Sequence, residues 1–370
     1  MIKVCHMTSA HPAEDIRIFH KECVSLARAG YEVYLVERGA SYEKNGVHIV
    51  GVGEIPSGRL KRMTEGAKRV YEAAKAVDAD IYHFHDPELL PYGLKLKRAG
   101  KRVIFDSHED YARQIAVKPY LPRWIARLIS HIYTVYERRV LRDIDAVIFP
   151  CTIEGRDPFS GKCRCTALIN NVPLLQELPS SSCSTADVFS AGYVGPIRPD
   201  RGNTQNVQAC EAVDVPLLFG GTPDSEAYQQ ELERLDSKGL VTFCGQLDRA
   251  GVWKLLSGVS VGLVTELSVG QNNTTDNLPT KTYEYMAAQL PFLISNYPYA
   301  KKVVDKHRCG ICVDPENVAE LAHALTYLRD HPDEARQMGE NGRRAVKEEF
   351  NWDVEEKKLL ALYEDILNEK

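Results

Sequence analysis

The chain has 370 residues, of which 44% are hydrophobic and 26% are charged, and its formal net charge is −5. This composition predicts a soluble globular protein with room for two domains, and net acidity without a recognition motif argues against nucleic acid as a partner. Residues 1–7 form only a short apolar run, so we expect neither a signal peptide nor a transmembrane helix.

The charge is distributed unevenly. Residues 1–175 hold 27 Lys+Arg and 21 Asp+Glu (27 − 21 = +6), and the remainder holds 19 and 30 (19 − 30 = −11). This asymmetry predicts two domains with different partners. The ten cysteines are scattered without a zinc-ligand spacing, so we expect reduced thiols in a cytoplasmic protein. A redox pair at Cys309 and Cys312 is the alternative to a plain strand there.

Apolar runs alternate with helical patterns, which is typical of parallel sheets with crossover helices. The predicted strands of the first half cover residues 2–6, 32–36, 81–84, 102–106 and 146–149, and its helices cover 15–29, 57–77, 88–99 and 122–142. The second series of strands covers 189–194, 217–219, 241–243, 259–263, 292–294 and 310–313, and a helical stretch follows it to the end.

These elements predict an α/β protein of two doubly wound domains. We expect an N-terminal domain at 1–172, a Pro- and Ser-rich linker at 173–187, a C-terminal domain at 188–350 and a final helix at 351–370 that packs back toward the first domain. Ligands of such sheets bind outside the carboxyl ends of the strands, which is where candidate residues are sought.

Polar residues follow three predicted strands of the first domain. A lone histidine is more often a core or capping residue, but histidines beside acids at two strand ends favour a functional site. The candidates are His11, Asp15 and Arg17 after the first strand, His85 and Asp86 after the third, and His108 and Glu109 after the fourth. The first of these turns lacks the G-x-G-x-x-G fingerprint of dinucleotide folds.

The second domain has a glycine-containing turn after its first strand. Gly195 lets a ligand approach the backbone, and Arg198 and Arg201 are suited to clamp a diphosphate. A solvated surface turn is the alternative. Small residues after the next two strands would leave room for a flat base. The nucleotide-sugar-binding candidates there are Gly220, Gly221, Gly245, Gln246 and Leu247.

The most informative stretch runs from Asp276 to Glu284. Pro279 predicts a helix start, and that helix runs to about Gln289. Glu284 lies in an otherwise apolar helix, where a carboxylate needs a partner. An ion pair with Lys281 is one possibility. The other is that the helix N-terminus faces an anionic ligand and Glu284 accepts hydrogen bonds from ligand hydroxyls.

Together these motifs resemble the retaining glycosyltransferases of sequence family four, and the opening segment resembles their surface-polysaccharide subgroup. The resemblance implies the GT-B architecture, two facing Rossmann-like domains with a deep interdomain cleft. Its most specific part is the family's E-x7-E pair, here Asp276 and Glu284. It implies that Glu284 binds the nucleotide ribose, that Asp276 lies against the donor sugar, and that the backbone N–H groups of Asn277, Leu278 and Thr280 hold the sugar and phosphate.

The family's diphosphate clamp is matched in part. Arg201 takes the position of the family lysine, whereas Pro196 replaces the family arginine, so Arg198 is our substitute and Lys281 a further contributor. His108 matches the family histidine near the anomeric carbon. The resemblance places His11, Asp15 and Arg17 on a loop that faces the phosphates.

The implied reaction is sugar transfer from a nucleotide-diphosphate sugar, with UDP favoured, to a hydroxyl of a glycan or lipid-linked glycan, without a cofactor or metal. His108, Asp276, Arg201 and Lys281 are the predicted catalytic residues, and His85, Asp86 and Glu109 are candidates for the acceptor. Basic helical stretches of the first domain predict peripheral contact with the cytoplasmic membrane face, or else are ordinary solvated helices. The alternatives are a nucleotide-sugar epimerase, a sugar phosphorylase and a non-catalytic nucleotide-sugar-binding subunit.

Overall fold

The computed structural model describes residues 1–55, 58–116, 122–178, 188–269 and 273–368. It divides into two compact units: the first comprises Met1–Asn171 and Trp352–Lys370, and the second comprises Val172–Asn351. The expected linker at 173–187 falls partly on residues 179–187, which lie outside the described residues. The final helix Trp352–Asn368 belongs to the first unit, where the Trp352 indole donates to the Ser25 hydroxyl at 2.9 Å.

The first unit is built on an eight-stranded sheet with the order β3-β4-β2-β1-β5-β6-β7-β8, in which only the β3–β4 pair is antiparallel. Its central strands are buried on both faces, as their continuous apolar runs predict. The strands are β1 Lys3–Met7, β2 Glu32–Glu37, β3 Tyr42–Lys44, β4 Val47–Gly51, β5 Ile81–Phe84, β6 Arg102–Asp106, β7 Ala146–Phe149 and β8 Cys165–Leu168.

Helices connect these strands, and two of the connections include π-helical turns with wider hydrogen bonding than an α-helix. The π-helical segments are Ile16–Cys23, which continues into the α-helix Val24–Arg28, and Arg62–Gly66, which lies between Arg59–Lys61 and Ala67–Val77. The other helices of the first unit are the 3₁₀ turn Pro87–Leu89, Leu90–Arg98, Tyr111–Ala116, Arg123–Leu141 and Trp352–Asn368.

The second unit has a six-stranded parallel sheet with the order β11-β10-β9-β12-β13-β14, so the strand order reverses between β9 and β12. The strands are β9 Ala191–Val194, β10 Leu217–Gly220, β11 Val241–Phe243, β12 Val261–Val264, β13 Phe292–Ser295 and β14 Gly310–Val313. The helices are the 3₁₀ turns Leu175–Glu177 and Pro199–Arg201, then Asn203–Ala212, Glu226–Leu235, Arg249–Ser257, Thr280–Ala287, Pro298–His307, Val318–Asp330 and Pro332–Glu348.

The predicted fold class, α/β with two parallel doubly wound sheets, is confirmed. Four elements were not predicted from the sequence: β3, β4, β8 and the short helix Tyr111–Ala116. β3 is a three-residue edge strand and β8 is only partly buried, so neither carries the apolar run that marks the central strands. No helix within the described ranges is long and apolar enough to cross a membrane.

Candidate functional site

Glycines line the carboxyl edge of the second unit's sheet. Gly195 follows β9, Gly221 follows β10 and Gly245 follows β11, and Gly221 forms a bridge with Gly245. A Cβ atom on Gly221 would lie 2.0 Å from the Gly195 carbonyl oxygen, so the close approach of these two loops requires glycine. The glycines therefore let the loops that follow β9 and β10 pack closely at this edge.

The neighbouring residues occupy different environments along that edge. A Cβ on Gly220 would lie 2.8 Å from Leu247, which partly fills the space beside it, and Gln246 is exposed.

Two cations converge on one buried carboxylate at the strand-order reversal. Arg201 contacts Glu266 through its Nη1, and the Lys281 Nζ lies 3.7 Å from the same Glu266 Oε1. Glu266 follows β12 and is 5% exposed. Lys281 Nζ also donates to the Tyr193 hydroxyl at 2.9 Å and lies 4.0 Å from the centre of that ring. The Arg201–Lys281 cation pair is thus held by the Glu266 carboxylate. The three side chains together carry a charge of +1.

Lys281 is the more buried of the two cations. Burial lowers the pKa of Lys281 to about 8, and the Glu266 carboxylate limits that fall. A Cβ on Gly195 would lie 3.4 Å from the Lys281 ammonium, so the backbone of the turn lies close to this cation.

Arg198 does not join this pair. Its Nε donates to Asp200 Oδ1 at 2.9 Å, and its side chain is 47% exposed. Of the two residues considered in place of the family arginine, Lys281 lies beside Arg201 and Arg198 does not.

The loop before helix Thr280–Ala287 is held by its own side chains. Asn277 Oδ1 accepts hydrogen bonds from the Leu278 N–H at 2.9 Å and the Tyr283 hydroxyl at 2.7 Å. The Leu278 N–H is therefore engaged, contrary to its expected role toward a ligand, and its side chain is buried. Thr280 begins the helix, where backbone N–H groups have no intrahelical acceptor, and Asp276 lies partly exposed just before the loop.

Glu284 has a different partner from the one that helical spacing suggested. Its carboxylate contacts the Arg249 guanidinium, whose other nitrogen donates to Glu177 Oε2 at 3.1 Å. Lys281 lies near Glu266 instead, so the alternative of a plain Lys281–Glu284 ion pair is not what the structure shows. Glu284 is 13% exposed, and Arg249 lies across the Trp253 ring at 5.2 Å.

In the first unit, His11 and Asp15 form a partly exposed pair. Asp15 Oδ1 accepts hydrogen bonds from the Arg17 and Ile18 N–H groups and so caps the π-helical segment, while its Oδ2 lies 3.3 Å from His11 Nδ1. The hydrogen bond with Asp15 raises the pKa of His11.

The Arg17 side chain is buried, whereas the resemblance implied that it faces the phosphates. The side chain is 4% exposed and makes a bidentate ion pair with Asp106: Nε donates to Oδ2 at 2.7 Å and Nη2 donates to Oδ1 at 2.9 Å. Its Nη1 donates to the Ile169 carbonyl at 3.1 Å. This guanidinium is committed to the interior of the first unit, so Arg17 is corrected from a phosphate-facing residue to a structural one.

The acceptor candidates differ in accessibility. His85 is fully buried, and Asp86 is 2% exposed. Asp86 Oδ2 accepts from the Thr8 hydroxyl at 2.8 Å and the Ser9 N–H at 2.6 Å, which fixes the loop after β1. Burial removes both from acceptor binding, whereas Glu109 is exposed and contacts Gln114.

His108 follows β6 and keeps one edge toward solvent. Its Nε2 lies 3.1 Å from Asp106 Oδ2 and 3.3 Å from His85 Nδ1, and its side chain is 17% exposed. The His11 ring lies 4.8 Å away, centre to centre. His108 is thus a histidine oriented by a buried carboxylate.

The thiols at 309 and 312 do not support the redox alternative. Burial raises the pKa of Cys309 to about 12 and that of Cys312 to about 11, whereas redox-active thiols have lowered values.

The fold is that of the GT-B glycosyltransferases, which have two units each built on a parallel doubly wound sheet. A sucrose-phosphate synthase from Thermosynechococcus elongatus has a TM-score of 0.79 with this chain, at 19% identity and with 99% of both chains covered. HepE from Anabaena, in complex with UDP and glucose, has a TM-score of 0.72 at 13% identity, covering 99% of this chain and 100% of HepE. At these identities the likeness shows the fold.

Sequence comparison shows the family. Residues 186–345 match the family described as glycosyl transferases group 1, and residues 18–157 match the one described as glycosyltransferase family 4. An MMP alpha-(1->4)-mannosyltransferase from Mycolicibacterium hassiacum is 37% identical over 316 residues, covering 79% of this chain and 72% of that protein. The chain therefore belongs to the glycosyltransferase family that these two descriptions and this relative share. It is a hexosyltransferase, as the resemblance predicted.

Three residues of the site were not predicted from the sequence. Glu266 was detectable, because it comes two residues after β12 at the edge where ligands bind. Tyr193, inside β9, and Arg249, distant in sequence from Glu284, carry no spacing signal. Only the folded chain brings them to their partners.

Proposed function

We propose that the protein is a retaining glycosyltransferase that moves a sugar from a UDP-sugar to a hydroxyl of a glycan or lipid-linked glycan. The observation that carries this proposal is the Arg201–Lys281 cation pair beside the start of helix Thr280–Ala287. Two cations and a helix N-terminus at a glycine-lined edge suit a nucleoside diphosphate. The UDP complex of HepE, which shares this fold, supports the choice of nucleotide.

The chemistry follows from where charge develops. As the bond from the anomeric carbon to the β-phosphate oxygen breaks, negative charge grows on the leaving diphosphate, and Arg201, Lys281 and the helix N-terminus stabilise it. The acceptor oxygen forms the new bond on the same face, and its proton passes to the departing phosphate. Glu266 holds both cations in place before the substrate arrives, which avoids reorganisation during the reaction.

Nucleotide recognition would fall to the residues around Glu284. Its carboxylate is held by Arg249 and accepts hydrogen bonds from the ribose hydroxyls, while the edge at Gly221 and Gly245 receives the base. The role of Asp276 beside the donor sugar rests on its matching position in the family.

We propose that transfer needs no metal. The chain has two Asp-x-Asp sequences, at 78–80 and 143–145, but each directly precedes a strand, β5 or β7, and so lies at the edge opposite the ligand-binding ends. Asp78 pairs with Lys101 at 2.6 Å, and Asp145 pairs with Lys97 at 2.6 Å. These acids stabilise the sheet, and the diphosphate charge is left to Arg201 and Lys281.

From the first unit, His108 contributes to binding the donor sugar, and Glu109 is the remaining candidate for positioning the acceptor. Asp106 orients His108 at 3.1 Å, and Arg17 balances the charge of Asp106. His108 is therefore held in one orientation by buried residues, unlike a mobile histidine on the surface.

We also propose peripheral contact with an anionic membrane through helix Arg123–Leu141. Trp124, Leu128 and Ile132 are spaced four residues apart and are 70%, 52% and 59% exposed. Arg123 and Arg127 flank this apolar stripe, the combination found in helices that lie in a membrane interface. Trp124→Ser with Leu128→Ser should reduce co-sedimentation with phosphatidylglycerol vesicles, while equal binding by parent and variant would refute this contact.

The reaction itself is tested by incubating the protein with a UDP-hexose and following the anomeric proton by NMR. Transfer, or slow donor hydrolysis, with a product of the donor's own anomeric configuration supports the proposal. Inversion would contradict retention, an epimerised sugar would identify the epimerase alternative, and UDP binding without bond cleavage would identify a non-catalytic subunit.

A further inference from the structure

Four ligand-type side chains meet inside the first unit. His6 on β1 and His83 on β5 are register partners, His85 follows β5, and Glu22 comes from the π-helical segment Ile16–Cys23. All four residues are fully buried. One nitrogen from each histidine and one oxygen of Glu22 lie within 4.8 Å of one another.

The individual distances define the cluster. His6 Nδ1 lies 3.0 Å from His85 Nε2 and 4.0 Å from Glu22 Oε2. His83 Nε2 and His85 Nε2 each lie 3.9 Å from that same oxygen. A tetrahedral metal with bonds of about 2.0–2.2 Å holds its ligand atoms roughly 3.3–3.6 Å apart. The observed set brackets this spacing, so small side-chain shifts suffice to enclose an ion.

The second nitrogen of each ring also lies near a polar group, and His6 and His83 share one. The Tyr363 hydroxyl lies 2.9 Å from His83 Nδ1 and 3.4 Å from His6 Nε2, and Asp106 Oδ2 lies 3.3 Å from His85 Nδ1. Metal-binding histidines characteristically use their second nitrogen in this way, because that bond fixes the tautomer and the ring orientation. The three rings are therefore oriented toward a common point.

At that common point, polar atoms are left unsatisfied. Within the described part of the chain, neither carboxylate oxygen of Glu22 accepts a hydrogen bond, and His83 Nε2 makes none. Arg17 Nε lies 3.2 Å from Glu22 Oε1, but this guanidinium is already paired with Asp106. Among the described residues, His6 Nδ1 and His85 Nε2 are hydrogen-bonded only to each other, and His83 Nε2 makes no hydrogen bond. Leaving a buried carboxylate and a buried imidazole nitrogen without hydrogen bonds is costly, and a cation between these residues would remove that cost.

We propose that His6, Glu22, His83 and His85 bind a structural divalent transition metal, which we infer to be zinc. Three imidazoles and one carboxylate suit zinc by ligand type and number. All four ligands are buried, so the ion has a structural rather than a catalytic role and ties β1 and β5 to the π-helical segment. Through Tyr363 it also fixes the final helix Trp352–Asn368. The proposal stands independently of the glycosyl transfer and of its metal-free chemistry.

The test uses the full-length, tag-free protein and Zn²⁺ itself. Elemental analysis after dialysis should find about one zinc per chain, and Co²⁺ incorporated during refolding should give the visible absorption of a tetrahedral site. Glu22→Gln and His83→Gln should lose the bound metal. His48→Gln is the matched control, because His48 is a solvent-accessible histidine on β4 of the same unit and should leave the metal content unchanged.

Two measurements keep the test decisive if those variants fail to fold. Tyr363→Phe keeps the ring and removes the hydroxyl beside His83, and it should weaken zinc binding about 10–100-fold. The parent chain, unfolded in chelator, should refold to its original melting temperature only when Zn²⁺ is added. Metal-free parent protein that refolds fully and does not respond to Zn²⁺ would overturn the proposal and identify a protonated Glu22 instead.

Discussion

Replacing Lys281 with methionine tests the cation pair at the diphosphate position. Methionine keeps most of the stem that packs against Tyr193 and removes the ammonium. Glu266 retains its contact with Arg201, so the variant should fold. A hydrogen bond to a charged group contributes about 1.5–3 kcal/mol, so the Kd for UDP should rise about 10–150-fold.

The pH dependence makes the test specific. With a pKa of about 8, Lys281 is about 90% protonated at pH 7 and about 10% at pH 9. The diphosphate binds the charged form, so UDP affinity of the parent should fall up to tenfold between these pH values. The UDP affinity of Lys281→Met should not change between these pH values. Any effect from titration of UDP itself would appear equally in the parent and the variant, so the difference between them reports on Lys281.

Isothermal titration calorimetry measures both effects. Lys306→Met is the control, because Lys306 is an exposed lysine of the same unit that pairs with Glu349. Equal UDP affinity of the parent and Lys281→Met at pH 7, or an unchanged pH slope in the variant, would refute the role of this ammonium.

Three further variants examine other parts of the account. Glu284→Ala should raise the Kd for UDP at least about 100-fold, because two charged hydrogen bonds to the ribose are lost; calorimetry measures this. Arg17→Ala should lower the free energy of unfolding in urea by about 3–5 kcal/mol, because it leaves the buried Asp106 without its guanidinium partner. It should leave UDP affinity unchanged. Gly202→Ala should lower the melting temperature, since at φ +69° its Cβ would lie 2.0 Å from the Thr265 carbonyl oxygen.

Each of these variants has a matched control or a contradicting result. Glu177→Ala also removes a partner of Arg249 and should leave UDP affinity within about twofold. Gly239→Ala has nearly the same φ, +68°, with nothing within 4 Å, so a loss equal to that of Gly202→Ala would show that crowding is not the cause. An Arg17→Ala protein as stable as the parent would contradict the buried ion pair.

The sequence predicted what local pattern determines. The central strands are continuous apolar runs, and their alternation with helices was sufficient for the α/β class and the two sheets. Glu284 was recognisable as an acid that needs a partner, because it interrupts an apolar helix. The identity of that partner, Arg249, depends on how the helix Arg249–Ser257 packs, which no local spacing encodes.

Other positions were misjudged because burial is a tertiary property. Arg17, His85 and Asp86 all have the residue types and strand-end positions of a ligand site, yet contacts with distant strands withdraw them into the core. The same folding brings His6 and Glu22, a strand residue and a helix residue, into one cluster. Neither residue was a candidate from the sequence. For His6 the reason is that a single histidine in an apolar strand is common.

The central claim is that the second unit binds a uridine diphosphate, and a thermal-shift panel of UDP, GDP, ADP and their sugars tests it most directly. A ligand at one hundred times its Kd adds about 2.7 kcal/mol of stability, which is a readily measured rise in melting temperature. The account predicts such a rise with UDP and UDP-sugars and its loss in Glu284→Ala. An unchanged melting temperature with every uridine nucleotide, or selective stabilisation by GDP or ADP, would contradict it.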